Sequence, residues 1–312
     1  MAGNARCRND ESSFAVEREV DRILTASAAR GTVSLVAGIT TGIVREARGR
    51  HDLAPTASAA AGRLLTAASL FGATLTATER ITLQISADGP IGSLTADAWL
   101  LEPRRIGARV YVRNPKADLP LNARGKFDVA GVVGAGHLQL TKSYEIGQPY
   151  SGVVPIVSGE IGEDIAHYLA SSQQIPSVVA LGVLADPSGI AAAGGVIAQI
   201  MPGADDATIA MLEKHASSMT AVTTQIMNGA DPEALMRSIV GDDLELKVFD
   251  TFELAFDCRC TQEKVELALL GLGKDELEKI AREQSSTEAL CDFCARRYEL
   301  ISSDVERLAA RL

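Results

Sequence analysis

Four of the chain's five cysteines form two close pairs, Cys258-Arg-Cys260 and Cys291-Asp-Phe-Cys294, with thirty residues between them. This spacing supports two kinds of chemistry. Two short turns can bring four thiolates to the corners of a tetrahedron, the arrangement zinc favours with sulfur ligands. Two close thiol pairs can also be oxidised pairwise and give up the metal they held. No histidine lies near the pairs in sequence; the four histidines are His51, His137, His167 and His215. An all-sulfur site has no coordination position open for water, so zinc-dependent hydrolysis is not expected. Arg259, Arg296 and Arg297 flank the thiols, either to keep them as thiolates or merely to solvate the surface. Cys7, in a polar N-terminal stretch, has no partner in sequence and reads as an incidental thiol.

On these residues alone, the cluster fits a structural zinc knuckle or a redox-sensitive zinc site. A C-x-C pair is the less usual form for a purely structural knuckle. A thioredoxin-like oxidoreductase would place its C-x-x-C at a helix N-terminus after a strand, a context that Cys291–Cys294 lacks. Chemistry elsewhere is sparse. Gly131-Val-Val-Gly134-Ala-Gly136 loosely suggests a phosphate loop, but a strand-like run, His137–Leu140, follows it where a dinucleotide site needs a helix. No Ser-His-Asp spacing appears, and His167 reads as a packed or surface residue. The chain is read as a non-enzyme.

The elements that must position these thiols fall into three stretches. Residues 1–202 mix strand and helix signals. Ile81-Thr-Leu83-Gln-Ile85 alternates like a half-buried strand, and Asp88-Gly89-Pro90 turns the chain. Further short strands are expected at Leu94–Ala98, Ala108–Arg113, His137–Lys142 and Val153–Val157. Helices are expected at Thr56–Ala77 and Gly162–Gln173. Strands in runs, with helices separate, predict an α+β fold with a large N-terminal domain. Residues 203–257 are predicted to be an acidic, helical linker, with helices at Ala207–His215 and Pro232–Ile239 and with Met211, Met219, Met227 and Met236. Adaptable methionine packing suits either a loose connector or a segment built to unfold. Residues 258–312 form a small C-terminal zinc-binding module with helices at Thr261–Leu270 and Asp275–Glu283. A last helix carries a capping-box signature, Ser303-Asp-Val-Glu306. So short a module has little core, and a metal would supply stability.

Charge follows the same division. The whole chain carries a net charge of -10. Residues 1–202 balance 18 Lys+Arg against 18 Asp+Glu; residues 203–257 set 3 against 11. No region has the basic excess of a nucleic-acid reader. The most apolar helical stretch, Ala57–Ala77, carries Arg63 and reads as a buried helix, so no membrane partner is expected. Met1–Asp10 is polar and lacks an apolar signal-peptide core. A reducing cytoplasm is the expected location.

Several motifs in order carry a further signal. They are Asp88-Gly89-Pro90-Ile-Gly92, Tyr150-Ser-Gly152-Val-Val-Pro155-Ile-Val-Ser-Gly159-Glu160, Ser172-Gln-Gln174-Ile-Pro176 with Leu181-Gly182-Val183, and Ala193-Gly194-Gly195 through Gln199 to Pro202-Gly203. Together with the cysteine spacing, they closely resemble the Hsp33 family of redox-regulated chaperones, from about residue 25 to 312. Gln173, Val110 and Thr261 depart from the family's usual Glu, Gly and Ser, and the Val110 change is expected to alter one strand or turn. The resemblance implies an ATP-independent holdase that binds Zn2+ through Cys258, Cys260, Cys291 and Cys294 and is inactive while reduced. Oxidation would form Cys258–Cys260 and Cys291–Cys294 disulfides, expel zinc, unfold the module and linker, and favour a homodimer that binds unfolding client proteins. The competing expectation is a constitutive zinc-stabilised protein-binding module without a switch.

Overall fold

The computed structural model describes residues 20–186, 188–242 and 244–312. Its elements run β1 (Arg22–Ala28), β2 (Val33–Ile39), α1 (Thr41–His51), α2 (Pro55–Gly72), β3 (Glu79–Ala87), β4 (Ser93–Glu102), β5 (Arg105–Val112), α3 (Val129–Val133), β6 (Gly136–Tyr144), β7 (Tyr150–Pro155), α4 (Gly162–Ser172), β8 (Ser177–Asp186) and β9 (Gly189–Ile200). Then come α5 (Asp206–Ser218), α6 (Val222–Met227), α7 (Pro232–Val240) and β10 (Lys247–Phe256). Last are α8 (Gln262–Leu270), α9 (Lys274–Glu283), β11 (Ser286–Leu290), β12 (Arg297–Ile301) and α10 (Ser302–Ala309). The fold is α+β, as expected.

Ten strands form one sheet in the order β7-β6-β3-β4-β5-β10-β1-β2-β9-β8. The β5–β10 pair is parallel and its neighbours are antiparallel. β10 thus joins two otherwise separate halves of the sheet. The acidic stretch 203–257 does hold helices, but its last ten-residue element is this strand, which the sequence reading did not anticipate.

Helices cover one face of the sheet along its length and the second face over β1, β2, β8 and β9. Side chains alternate across a strand, and β2 shows the consequence: Val36 joins one apolar cluster, while Val33, Leu35 and Ala37 join another. Helix α2 dominates the first face. Pro55 fits its first turn, and its small residues permit close packing; a Cβ on Gly62 would lie 2.6 Å from Val44 Cγ1. The helix stops at Gly72, short of the expected Ala77. Thr74 there donates its hydroxyl to the Phe71 carbonyl at 2.8 Å, one of the local backbone bonds by which threonine competes with helix. β7 likewise ends at Pro155, which cannot donate to a ladder. β5 runs unbroken through Val110, whose buried side chain sits opposite Ala96, so the departure at that position leaves the strand intact.

Helices α5–α7 cover the second face, placing Leu212, Val222, Leu235, Met236, Ile239 and Val240 against β1, β2 and β9. Acidic residues start two of these helices: Asp205 accepts from Thr208 N–H and Asp231 from Ala234 N–H, each at 2.8 Å. The methionines differ among themselves, since Met236 is fully buried and Met227 is exposed. A third, small apolar cluster unites Leu277 and Ala281 of α9, Leu300 of β12, and Val305, Leu308 and Ala309 of α10. The capping box expected at Ser303–Glu306 gives way to a start two residues earlier, with Ile301 as the N-cap. Asp304 accepts from Ile301 N–H at 3.3 Å, while the Ser302 hydroxyl donates to the Gln284 and Ser285 carbonyls.

Candidate metal centre

β10 delivers the first cysteine pair. Asp257 N–H donates to the Ala108 carbonyl at 2.9 Å, which holds the chain beside β5 just before Cys258. Thr261 then accepts from Lys264 N–H at 3.3 Å and starts α8. The second pair sits at the tip of the antiparallel β11–β12 hairpin, a feature missed in sequence because its strands have only five residues each. At that tip Ala295 N–H donates to the Cys291 carbonyl at 2.8 Å.

The four sulfurs converge, all within 4.8 Å of one another. Cys258 and Cys291 Sγ are 3.7 Å apart, and Cys260 and Cys294 Sγ 3.4 Å. A tetrahedral ion with metal–sulfur bonds of about 2.3 Å needs edges of roughly 3.8 Å. The four residues therefore fit such an ion, and among the described residues this is the one His/Cys/Asp/Glu group assembled tightly enough to do so. Cys7 lies outside the described residues.

Without metal the thiols are unequal. Burial pushes Cys260 up, but hydrogen bonds from Tyr298 and from the other three thiols outweigh it and bring Cys260 down to about 7. Burial pushes Cys291 and Cys294 above the ordinary thiol range. The Tyr298 hydroxyl donates to Cys260 Sγ at 3.0 Å. Tyr298→Phe removes that donor, so Cys260 is expected to titrate higher and its thiolate fraction at neutral pH to fall. Alkylation of the reduced, zinc-free protein then slows severalfold at pH 7; an unchanged pH–rate profile would contradict the role of Tyr298.

The cluster is docked onto the large sheet by residues that sequence reasoning did not single out. Arg109 of β5 donates to Cys258 Sγ at 3.3 Å and to Asp97 Oδ2 at 2.9 Å, and its guanidinium lies 3.8 Å from the Phe293 ring centroid. Burial works against the charge on Arg109, yet Cys258 and Asp97 hold it protonated more firmly than usual. Asp97 is fully buried and also accepts from Arg80 and Thr82. From the end of α1, Arg50 donates to the Cys294 carbonyl at 3.3 Å, and His51 Nε2 lies 3.1 Å from the Phe293 carbonyl. A histidine is therefore near the cluster in space, touching the knuckle's backbone. Burial, chiefly, lowers the His51 pKa.

Of the arginines singled out in sequence, Arg296 interacts with the Cys260 and Cys294 thiols, while Arg259 and Arg297 take other partners. Arg259 lies 4.5 Å above Trp99, Arg297 pairs with Glu288 at 2.7 Å, and Arg296 sits beside Tyr298. The Gly131–Gly136 run covers the end of α3, where Asp128 caps the helix by accepting from Gly131 N–H, and leads into β6, the strand expected after it. His167 bonds Ser171 on the exposed face of α4.

A sequence profile of the Hsp33 protein family matches residues 21–300. The chain belongs to the Hsp33 family. Hsp33-type relatives include the 33 kDa chaperonins of Staphylococcus aureus strains Newman and COL, each 41% identical over 294 residues, covering 94% of this chain and 99% of theirs. The crystal structure of the 33 kDa chaperonin, an Hsp33 homologue, from Thermotoga maritima matches with a TM-score of 0.85 at 35% identity, covering 93% of this chain and 98% of that one. The resemblance drawn from the motifs is thereby borne out. Family membership supports a chaperone role, hence binding of unfolded proteins, and the four-cysteine cluster fits the redox zinc centre of Hsp33. Among the described residues no helix is long and apolar enough to cross a membrane.

Proposed function

We propose that this chain is an ATP-independent holdase of the cytoplasm, switched on when Cys258, Cys260, Cys291 and Cys294 are oxidised. The observation that carries the reading is the position of the four-thiol cluster. It is fused to β10, the strand joining both halves of the sheet, and tied to β5 through Arg109. A bound zinc ion would supply a closed crosslink between the two thiol pairs and keep all four sulfurs as thiolates.

Oxidation removes this ligand set. Each pair of thiolates gives two electrons to an oxidant such as hydrogen peroxide, which takes up two protons from solvent and leaves as two water molecules while one sulfur–sulfur bond forms. All four sulfurs lie within 4.8 Å of one another, and the contacts of 3.7 and 3.4 Å run across the pairs, so proximity does not select the local pairing. Cys258–Cys260 and Cys291–Cys294 bonds would close only tiny loops. Bonds across the pairs would staple the module and stabilise its fold. The local pairing, Cys258–Cys260 and Cys291–Cys294, is the one the Hsp33 resemblance implies, and it is compatible with release. Arg109 then faces a neutral sulfur and loses a charge-assisted hydrogen bond, generally about 1.5–3 kcal/mol.

β10 is poorly placed to stay without that anchor. It buries Phe252 and Leu254 but leaves Phe249 53% exposed, and only four residue pairs bind it to β5. Loss of β10 and of α5–α7 would uncover Val33, Leu35, Ala37, Val196 and Ala198, a continuous apolar face for client proteins. Such a face also favours a homodimer of the oxidised form. No ATP site, nucleic acid or membrane enters this scheme.

Hydrogen exchange of the full-length zinc-loaded protein tests it. After peroxide and mild heat, residues 206–256 are expected to lose protection while β3, β4 and β6, which do not pair with β10, keep theirs. Full protection of 206–256 in oxidised, zinc-free protein would leave the constitutive zinc-stabilised module as the better account.

A further inference from the structure

Two observations about β10 point to how clients are held. Its backbone hydrogen-bonds on both sides, to β1 in antiparallel register from Lys247↔Ser27 to Glu253↔Arg22 and to β5 in parallel register from Glu253↔Arg105 to Phe256↔Ala108. Alternate N–H groups serve the two sides: Leu254 donates to the Asp21 carbonyl at 3.0 Å, and Glu253 to the Arg104 carbonyl at 2.9 Å. Its inward side chains, Phe252 and Leu254, enter the same apolar cluster as Ile23 of β1 and Ile106 and Ala108 of β5.

We infer that the slot between β1 and β5 is a client-binding site, in which an extended segment of an unfolding protein replaces β10 and pairs with both strands. This rests on the proposed release of β10. Once β10 leaves, β1 and β5 each present a row of unpaired N–H and C=O groups over an apolar floor. Unpaired sheet edges are templates for added strands. Main-chain hydrogen bonds then give affinity that any sequence can use, while the floor selects apolar residues at alternate positions. That is the pattern a newly unfolded strand exposes. β10 itself carries it, with Phe252, Leu254 and Phe256 separated by Glu253 and Ala255. In the reduced protein the slot is closed by the chain's own strand, so the site and its inhibitor are one element.

The experiment uses a labelled peptide with the sequence of residues 247–256, titrated into full-length protein in its reduced zinc-loaded and oxidised forms. A second peptide is N-methylated at Phe252 and Leu254, which keeps every side chain and removes donors on the β1 side. Saturable binding to the oxidised form alone, displacement of an unfolding client, and about tenfold or greater weakening by N-methylation are expected. Equal binding of both peptides would show apolar contact without strand pairing and overturn the inference, as would binding that leaves the client undisplaced. Hydrogen exchange of β10 in the same samples separates the two ideas. A released β10 with no peptide binding sinks the slot alone; a protected β10 sinks the release on which it rests.

Discussion

Replacing Cys294 with serine is expected to abolish stoichiometric zinc binding, to unfold residues 258–312 and to free β10, while the other nine strands of the sheet remain folded. Cys294 is the most buried of the four thiols, with 3% exposure, at the tip of a hairpin whose strands pair over only five residues. The apolar cluster beneath it holds six side chains, two of them alanines (Ala281 and Ala309). A core of that size contributes only a few kcal/mol before chain entropy opposes it. Structural zinc in small modules contributes about 10–16 kcal/mol of apparent folding energy, so a bound zinc ion would decide whether the module folds. Metal analysis and hydrogen exchange check the outcome together. The variant is expected to suppress client aggregation without oxidant, because the fastening is already open. Retention of one zinc per chain with a protected hairpin would show that three thiols suffice.

Arg109→Met tests the tie between cluster and sheet. The substitution keeps apolar bulk against Phe293 but deletes the donor to Cys258 and one cation beside the buried Asp97. Removing one partner of a buried ion pair generally costs roughly 3–5 kcal/mol. Asp97 retains Arg80 and Thr82, so the low end of that range is expected. The loss should appear as faster exchange at residues 247–260 and a lower oxidant dose for activation. Zinc content should stay near that of the parent protein, because no ligand is touched. Arg109→Lys should recover part of the effect, a point charge without the fork that reaches Asp97 and Cys258 together. An unchanged oxidant dose for Arg109→Met would mean that docking runs through α1 alone.

Much of this arrangement is legible in the sequence, and the exceptions have physical causes. The thiols declare themselves through spacing because a tetrahedral site needs two tight turns. β3 declares itself because one face of it is buried and the alternation of Ile81, Leu83 and Ile85 follows. β2 and β9 do not, since the sheet is covered on both faces there and Val33–Ile39 and Gly189–Ile200 read as continuous apolar runs. β10 has the alternation, in Phe252, Leu254 and Phe256, but sits in an acidic stretch whose charge reads as a solvated connector. Arg109 could not be found by local reading. Its thiol partner lies 149 residues away, and only the parallel pairing of β5 with β10 brings them together. The local hint was a charged residue, Arg109, between the apolar residues Ala108 and Val110 in the middle of β5.

The central claim is that the thiols are a sensor and that their oxidation confers chaperone activity. Graded peroxide treatment of the reduced zinc-loaded protein tests it, with bound zinc, free thiols and suppression of an unfolding client's aggregation measured in the same samples. The account predicts that four thiols and one zinc are lost together and that suppression rises in proportion. Suppression that is already complete in the reduced protein, or absent after thiols and zinc have gone, would contradict it.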